Sequence, residues 1–177
     1  MSKKVTKNLI PFQYFIVKGA GESRHTHHAG SYHMALYQAG IHECNIMTYS
    51  SILPQISQEV DIPESFKFGQ ELKCIMSVCD GRYGEKLSAG IAFGWLYDEN
   101  DKKIGGIVVE RKGNFDEDTL KDILNDSLYE LYNKTFSQYK LDEENIHYVI
   151  KVFEPSDVYG TCLVGLCFIN YQIEIEK

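Results

Sequence analysis

Asn45-Ile46-Met47-Thr48-Tyr49-Ser50-Ser51-Ile52-Leu53-Pro54 runs from a β-branched, aromatic segment into two adjacent serines and then a proline. Cys44 to Tyr49 has the composition of a strand, and Pro54, which lacks an N–H, ends extended pairing. The serines therefore interrupt the end of an apolar strand, where a peptide bond can be held in a strained turn. The Ser51 hydroxyl stands next to the Ser50 carbonyl carbon, and Asn45 offers a side-chain amide to a developing oxyanion. Serine is a routine turn residue, so the pair gains meaning only from its surroundings.

On the N-terminal side, Phe12 to Val17 reads as a first strand and Gly19 to Gly30 as a loop rich in Gly and His. Ser31 can cap a short helix through Ala39, with Gly40 as its stop. On the C-terminal side, Leu72 to Val78, Ser88 to Leu96 and Ile104 to Arg111 read as strands, the last two joined by a turn at Glu99-Asn100-Asp101-Lys102. Asp116 to about Gln138 is the clearest helix: Leu120, Ile123, Leu124, Leu128, Leu131, Tyr132 and Phe136 recur at helical spacing and predict one buried stripe. Asp116 suits its N-cap, and Glu117 and Asp118 suit the positive end of its dipole. His147 to Phe153 and Thr161 to Gln172 close the series as strands. This order predicts one sheet-rich α+β domain over residues 1–177 whose helices cover sheet faces.

A chain of 177 residues can bury a sizeable core, and 44% hydrophobic with 24% charged residues is ordinary for a globular protein. The formal net charge of -7 argues against a nucleic-acid partner, which requires a basic face. Cys44, Cys74, Cys79, Cys162 and Cys167 all fall in apolar runs without a CxxC pair, which predicts buried free thiols in a reducing cytoplasm. No apolar stretch approaches the length of a signal core or a membrane span, so no membrane partner is expected and the location is read as cytoplasmic. His25, His27 and His28 have a spacing open to a transition metal, but a solvated loop is the simpler reading. Gly19-x-Gly21 lacks the third glycine of a dinucleotide site, and neither a P-loop nor a G-x-S-x-G elbow occurs.

The run from Ala39-Gly40-Ile41 through Ser50-Ser51-Ile52-Leu53-Pro54 resembles the self-cleavage segment of pyruvoyl-dependent arginine decarboxylases. Ser31-Tyr32-His33-Met34-Ala35-Leu36-Tyr37-Gln38 is similar to that family's short helix before the cleavage strand, and Gly105-Gly106-Ile107-Val108-Val109-Glu110 to the strand with its catalytic acid. The resemblance extends from about Gly30 to the C-terminus. It implies a four-layer αββα sandwich, assembly as a homotrimer with sites at subunit interfaces, and cleavage into a small chain 1–50 and a pyruvoyl-bearing chain 51–177. It further implies Ser51 as the origin of a covalent pyruvoyl group, Asn45 as an active-site amide and Glu110 as the proton donor, with no metal required. The expected activity is decarboxylation of a small cationic amino acid, arginine to agmatine. Where the family carries an aspartate in the short helix, this chain has His33, which cannot supply negative charge to a guanidinium. His33 and the nearby Glu43 are the substrate-end candidates.

The implied chemistry explains the residue types. A pyruvoyl ketone is an electron sink for decarboxylation built from the protein's own chain. Re-protonation of the substrate α-carbon then needs an acid, and protonating a free glutamate at pH 7 costs about 3.7 kcal/mol. The site must lower that cost by desolvation. Strand alternation puts Glu110 on one face with Val108 and Arg111 on the other with Val109. The structural alternative for Glu110 is a strand-end ion pair with Arg111 or Lys112. Two other functions stay open: the same chemistry on ornithine, lysine or histidine, and a non-processing relative that binds a ligand or acts structurally.

Overall fold

Strand β1 spans Thr6–Ser23 and pairs antiparallel along its length with β10, Tyr159–Glu176, forming the spine of the first sheet. The computed structural model describes residues 6–176. Between these strands the chain forms α1 (His33–Gln38), β2 (Asn45–Thr48), β3 (Ile52–Pro54), β4 (Gln58–Glu59), β5 (Glu71–Arg82), β6 (Leu87–Tyr97) and β7 (Lys103–Gly113). Helix α2 (Glu117–Leu131), β8 (Lys140–Leu141) and β9 (His147–Phe153) complete the order. The first sheet runs β2-β5-β10-β1-β4, with β2 parallel to β5 and β4 parallel to β1. The second runs β3-β7-β6-β8, and β9 also pairs with β6. The protein is a mixed α+β fold dominated by strands, as expected.

Three apolar clusters follow from strand alternation. Tyr14, Phe93, Val108, Val164, Leu166 and Phe168 belong to one that draws on both sheets. Their sequence neighbours Phe15, Leu163 and Cys167 join α1 residues Ala35 and Leu36 in a second. Ala92, Ile107 and Val109 join Leu120, Leu124 and Leu128 of α2 in a third. Residues adjacent along a strand thus bury opposite faces in different cores. All five cysteines are buried and free. No helix among the described residues is long and apolar enough to cross a membrane.

Several boundaries differ from the sequence reading. The segment read as a loop from Gly19 continues β1 to Ser23, because Gly19 and Gly21 are where α1 lies on the strand. A Cβ on Gly21 would run into the Ser31 carbonyl and the Ala35 amide, and one on Gly19 into the Ala35 carbonyl. The histidine segment is not a free loop: His27–Tyr32 forms a π-helical turn leading into α1. Ser31 is not an N-cap; it is buried, with its hydroxyl 2.8 Å from that of Thr161. Gly40 does end the helix, with φ +75°. Helix α2 starts as expected, Asp116 accepting a hydrogen bond from the Thr119 N–H (2.8 Å), but becomes π-helical over Tyr132–Phe136.

Candidate active site

The chain passes from the first sheet to the second at the serine pair. Tyr49 N–H donates to the Cys74 carbonyl of β5 (2.9 Å), the last backbone bond on one side. Val108 N–H of β7 donates to the Ser51 carbonyl (3.0 Å), the first on the other. Between them Ile52 N–H donates to the Ser50 carbonyl (2.9 Å) and closes a three-residue turn. The turn is tight, and neither serine has a positive φ. The crossing at Ser50-Ser51 is thus a hydrogen-bonded turn of ordinary hand.

The Gly105-Gly106 pair explains how β3 reaches this position. Leu53 pairs with Gly106 and Pro54 with Gly105. A Cβ on Gly105 would lie 2.8 Å from the Leu53 carbonyl oxygen, and one on Gly106 3.1 Å from the Leu53 Cβ. Side chains at either position would push β3 off β7, and with it Ser51. Farther along the same strand, Glu110 turns to the face it shares with Val108. The Ser51 hydroxyl, the donor here, lies 3.0 Å from Oε1 and 2.9 Å from Oε2 of Glu110.

Burial raises the Glu110 carboxyl above the ordinary glutamate range; the Ser51 hydroxyl and the Arg111 charge offset part of that effect. The ion-pair alternative is not realised among the described residues. Arg111 Nη1 instead donates to the Glu110 backbone carbonyl (2.9 Å). One cleft of about 390 Å³ holds Ser51 and Glu110 with Arg111, Ser127, Glu130 and Lys134. A second, of about 430 Å³, reaches Glu110 from the other side past Met76, Ser77 and Val78 of β5.

The remaining sequence-predicted residues lie elsewhere. Asn45, at the start of β2, donates through Nδ2 to the Gly69 carbonyl (2.9 Å). With His33 and His42 it lines a separate cleft of about 620 Å³. The His33 and His42 rings sit 6.0 Å apart, centroid to centroid, and His42 Nδ1 is buried without a hydrogen-bond partner. Glu43 is an exposed turn residue, not part of a strand, and its backbone carbonyl accepts from Gly69 N–H (2.7 Å). Within one chain the fold thus brings Ser51 and Glu110 together and leaves Asn45, His33 and Glu43 apart from them. His27 packs edge-on against Tyr159 and His28 stacks on Tyr32.

Sequence reasoning missed Asp80. It lines a cleft of about 350 Å³ with His27, His28, Tyr32 and Val78. Its carboxylate accepts from the Thr161 hydroxyl (2.6 Å). This cleft shares Val78 with the one at Glu110 and His28 and Tyr32 with the one at Asn45. A lone aspartate inside an apolar strand carries no motif, so only the pairing of Asp80 with Thr161 reveals it.

The family model described as pyruvoyl-dependent arginine decarboxylase matches residues 13–173. A Chlamydia pneumoniae protein named pyruvoyl-dependent arginine decarboxylase AaxB is 29% identical over 157 residues, covering 80% of this chain and 79% of that protein. Its namesake from Chlamydia trachomatis is 28% identical over the same length, with the same coverage. A Chloroherpeton thalassium protein named probable pyruvoyl-dependent arginine decarboxylase is 37% identical over 71 residues, 38% of each chain.

Proposed function

The chain belongs to the pyruvoyl-dependent arginine decarboxylase family, and from that premise we propose that it cleaves itself at Ser50-Ser51 and then decarboxylates an amino acid with a cationic side chain. The observation that carries the proposal is the contact of the Ser51 hydroxyl with both oxygens of a half-buried Glu110, beside the Ser50 carbonyl. In this reading the Ser51 oxygen attacks the Ser50 carbonyl carbon. Its proton passes to the Glu110 carboxylate and on to the Ser51 nitrogen as the C–N bond breaks, leaving an ester. Loss of the Ser51 α-proton with departure of the Ser50 carboxylate gives dehydroalanine. Water then replaces the nitrogen as ammonia, leaving a ketone at residue 51. Residues 1–50 become the small chain and 51–177 the large one.

The pyruvoyl group so formed would supply an electron sink for loss of carbon dioxide. The chain's own contribution is a carboxyl that burial keeps ready to be protonated, so Glu110 returns a proton to the substrate α-carbon. Arginine is the first substrate to test, with ornithine, lysine and histidine next, because His33 stands in the cleft where an acid would serve a guanidinium. Asp80, beside the stacked Tyr32 and His28, is the carboxylate we assign to the cationic end in place of Glu43.

The four-layer αββα arrangement is supported by the three apolar clusters: one drawn from both sheets, and one for each sheet with its own helix. Assembly as a trimer draws support from exposed apolar side chains on the strands flanking the crossing, Met47 at 46% and Ile52 at 49%, and from Phe68, at 90% exposure in the loop before β5. In such an assembly a neighbouring copy is the route by which Asn45 reaches the site. The test is to incubate purified protein with each amino acid and measure carbon dioxide release. Turnover of arginine or another cationic amino acid is expected. No release from any of them contradicts the proposed activity and favours a non-processing, ligand-binding relative.

A further inference from the structure

We propose that the backbone N–H of Ile52 is the oxyanion donor for the self-cleavage step, an inference that rests on the self-processing reading. The carbonyl to be attacked is that of Ser50, and the group on its oxygen is the Ile52 N–H at 2.9 Å. When the Ser51 oxygen adds to the Ser50 carbon, the carbonyl π electrons move onto that oxygen. A hydrogen bond already in place strengthens as charge develops and needs no reorganisation. The C–O bond forms, the C–N bond to Ser51 breaks, and the proton lost by Oγ ends on the Ser51 nitrogen.

Three anchors hold this donor in place. Tyr49 N–H on Cys74 fixes the chain before the turn. Val108 N–H on the Ser51 carbonyl fixes it after. Leu53, wholly buried and seated on Gly106, fixes the next residue. Ile52 pairs with Ile107 at a position of the β3–β7 ladder whose N–H faces away from β7, and that N–H meets the scissile carbonyl. The side-chain amide of Asn45, in contrast, is held on the Gly69 carbonyl. Nucleophile, carbonyl and donor thus occupy three consecutive residues.

The experiment replaces residue 52 by its α-hydroxy-acid counterpart through nonsense suppression, exchanging the N–H for an oxygen and keeping the side chain. Cleavage is followed by intact mass. The rate is expected to fall by about 10²-fold to 10³-fold, the range for loss of one oxyanion-hole donor. The same exchange at Leu53, and Ile52→Val, are expected to leave the rate within a few fold of the unmodified chain. An unchanged rate at residue 52 overturns the inference, and so does equal slowing at residues 52 and 53, which reports only a weakened strand. Should the residue 52 ester fail to fold, the decision passes to Ser51→Ala. There, a through-hydrogen-bond NMR coupling from the residue 52 nitrogen to the Ser50 carbonyl carbon is expected, and its absence overturns the proposal. If the unmodified chain never cleaves, the self-processing reading fails instead, and that result is distinct from every outcome above.

Discussion

Glu110 serves the two proposed reactions in opposite protonation states. As a carboxylate it accepts the Ser51 hydroxyl proton, and as an acid it returns a proton to the substrate. Burial raises its pKa, so the neutral form persists to higher pH in the folded chain than in the unfolded one. Its contribution to stability is therefore complete below the unfolded pKa and is lost as pH rises through the folded one. Turnover by the matured enzyme should fall as pH rises through the same range, measured as kcat against pH. Glu110→Gln keeps an acceptor for the Ser51 hydroxyl, so it should mature slowly but completely and lose about 10²-fold or more in kcat. Near wild-type turnover in that variant makes Glu110 structural. At the substrate end, His33→Asp should improve discrimination for arginine over a neutral amino acid about tenfold or more, equivalent to a charge-assisted bond of roughly 1.5–3 kcal/mol. Asp80→Asn should lose arginine specificity, as the assignment of the cationic end to Asp80 requires; a gain from His33→Asp with no loss in Asp80→Asn moves the guanidinium to the His33 cleft. Ser51 and Glu110 stood out through the family resemblance of the segments that carry them, since a Ser-Ser turn and a strand-end glutamate are ordinary by themselves. Asp80 was not, since its partner Thr161 lies on β10, far away in the chain.

At the scale of elements, glycines that read as loop signals turned out to be contact points. Gly19 and Gly21 belong to β1 and admit α1 against the strand backbone. Local composition cannot tell a glycine kept for a turn from one kept for close approach, which is why β1 came out short at its C-terminal end. Strands β5, β6 and β7 and helix α2 were legible because alternation and helical period act within each element. The short strands β4 and β8, two residues each, gave no periodic signal. Their pairing partners, distant in sequence, create them. The close approach has a cost when disturbed: Gly21→Ala places a methyl group against the Ser31 and Ala35 backbone and should destabilise the fold by about 1–3 kcal/mol, read as a lower chemical-denaturation midpoint. An unchanged midpoint means α1 shifts freely on β1, and the cleft at His33 and Asn45 is then not held rigidly by the strand.

Across the whole molecule, the serine crossing is the one covalent link that the proposed chemistry removes, and the architecture tolerates its loss. The segment before the cut contributes β1, which pairs with β10 from Thr6↔Glu176 to Ser23↔Tyr159, and β2, which pairs with β5. Both partners belong to the segment after the cut. The first sheet thus interleaves strands from both products, and the products should stay together natively. The pairing of the first and last strands was not legible from pattern, because nothing local specifies which strands in a series become neighbours. The most direct test is intact-mass measurement of purified wild type and Ser51→Ala under native and denaturing conditions. Wild type should denature into a fragment ending at Ser50 and one beginning with a keto-blocked residue 51, yet remain one assembly natively, while Ser51→Ala stays a single chain throughout. A wild-type protein that is a single uncut chain and still decarboxylates at full rate contradicts the account.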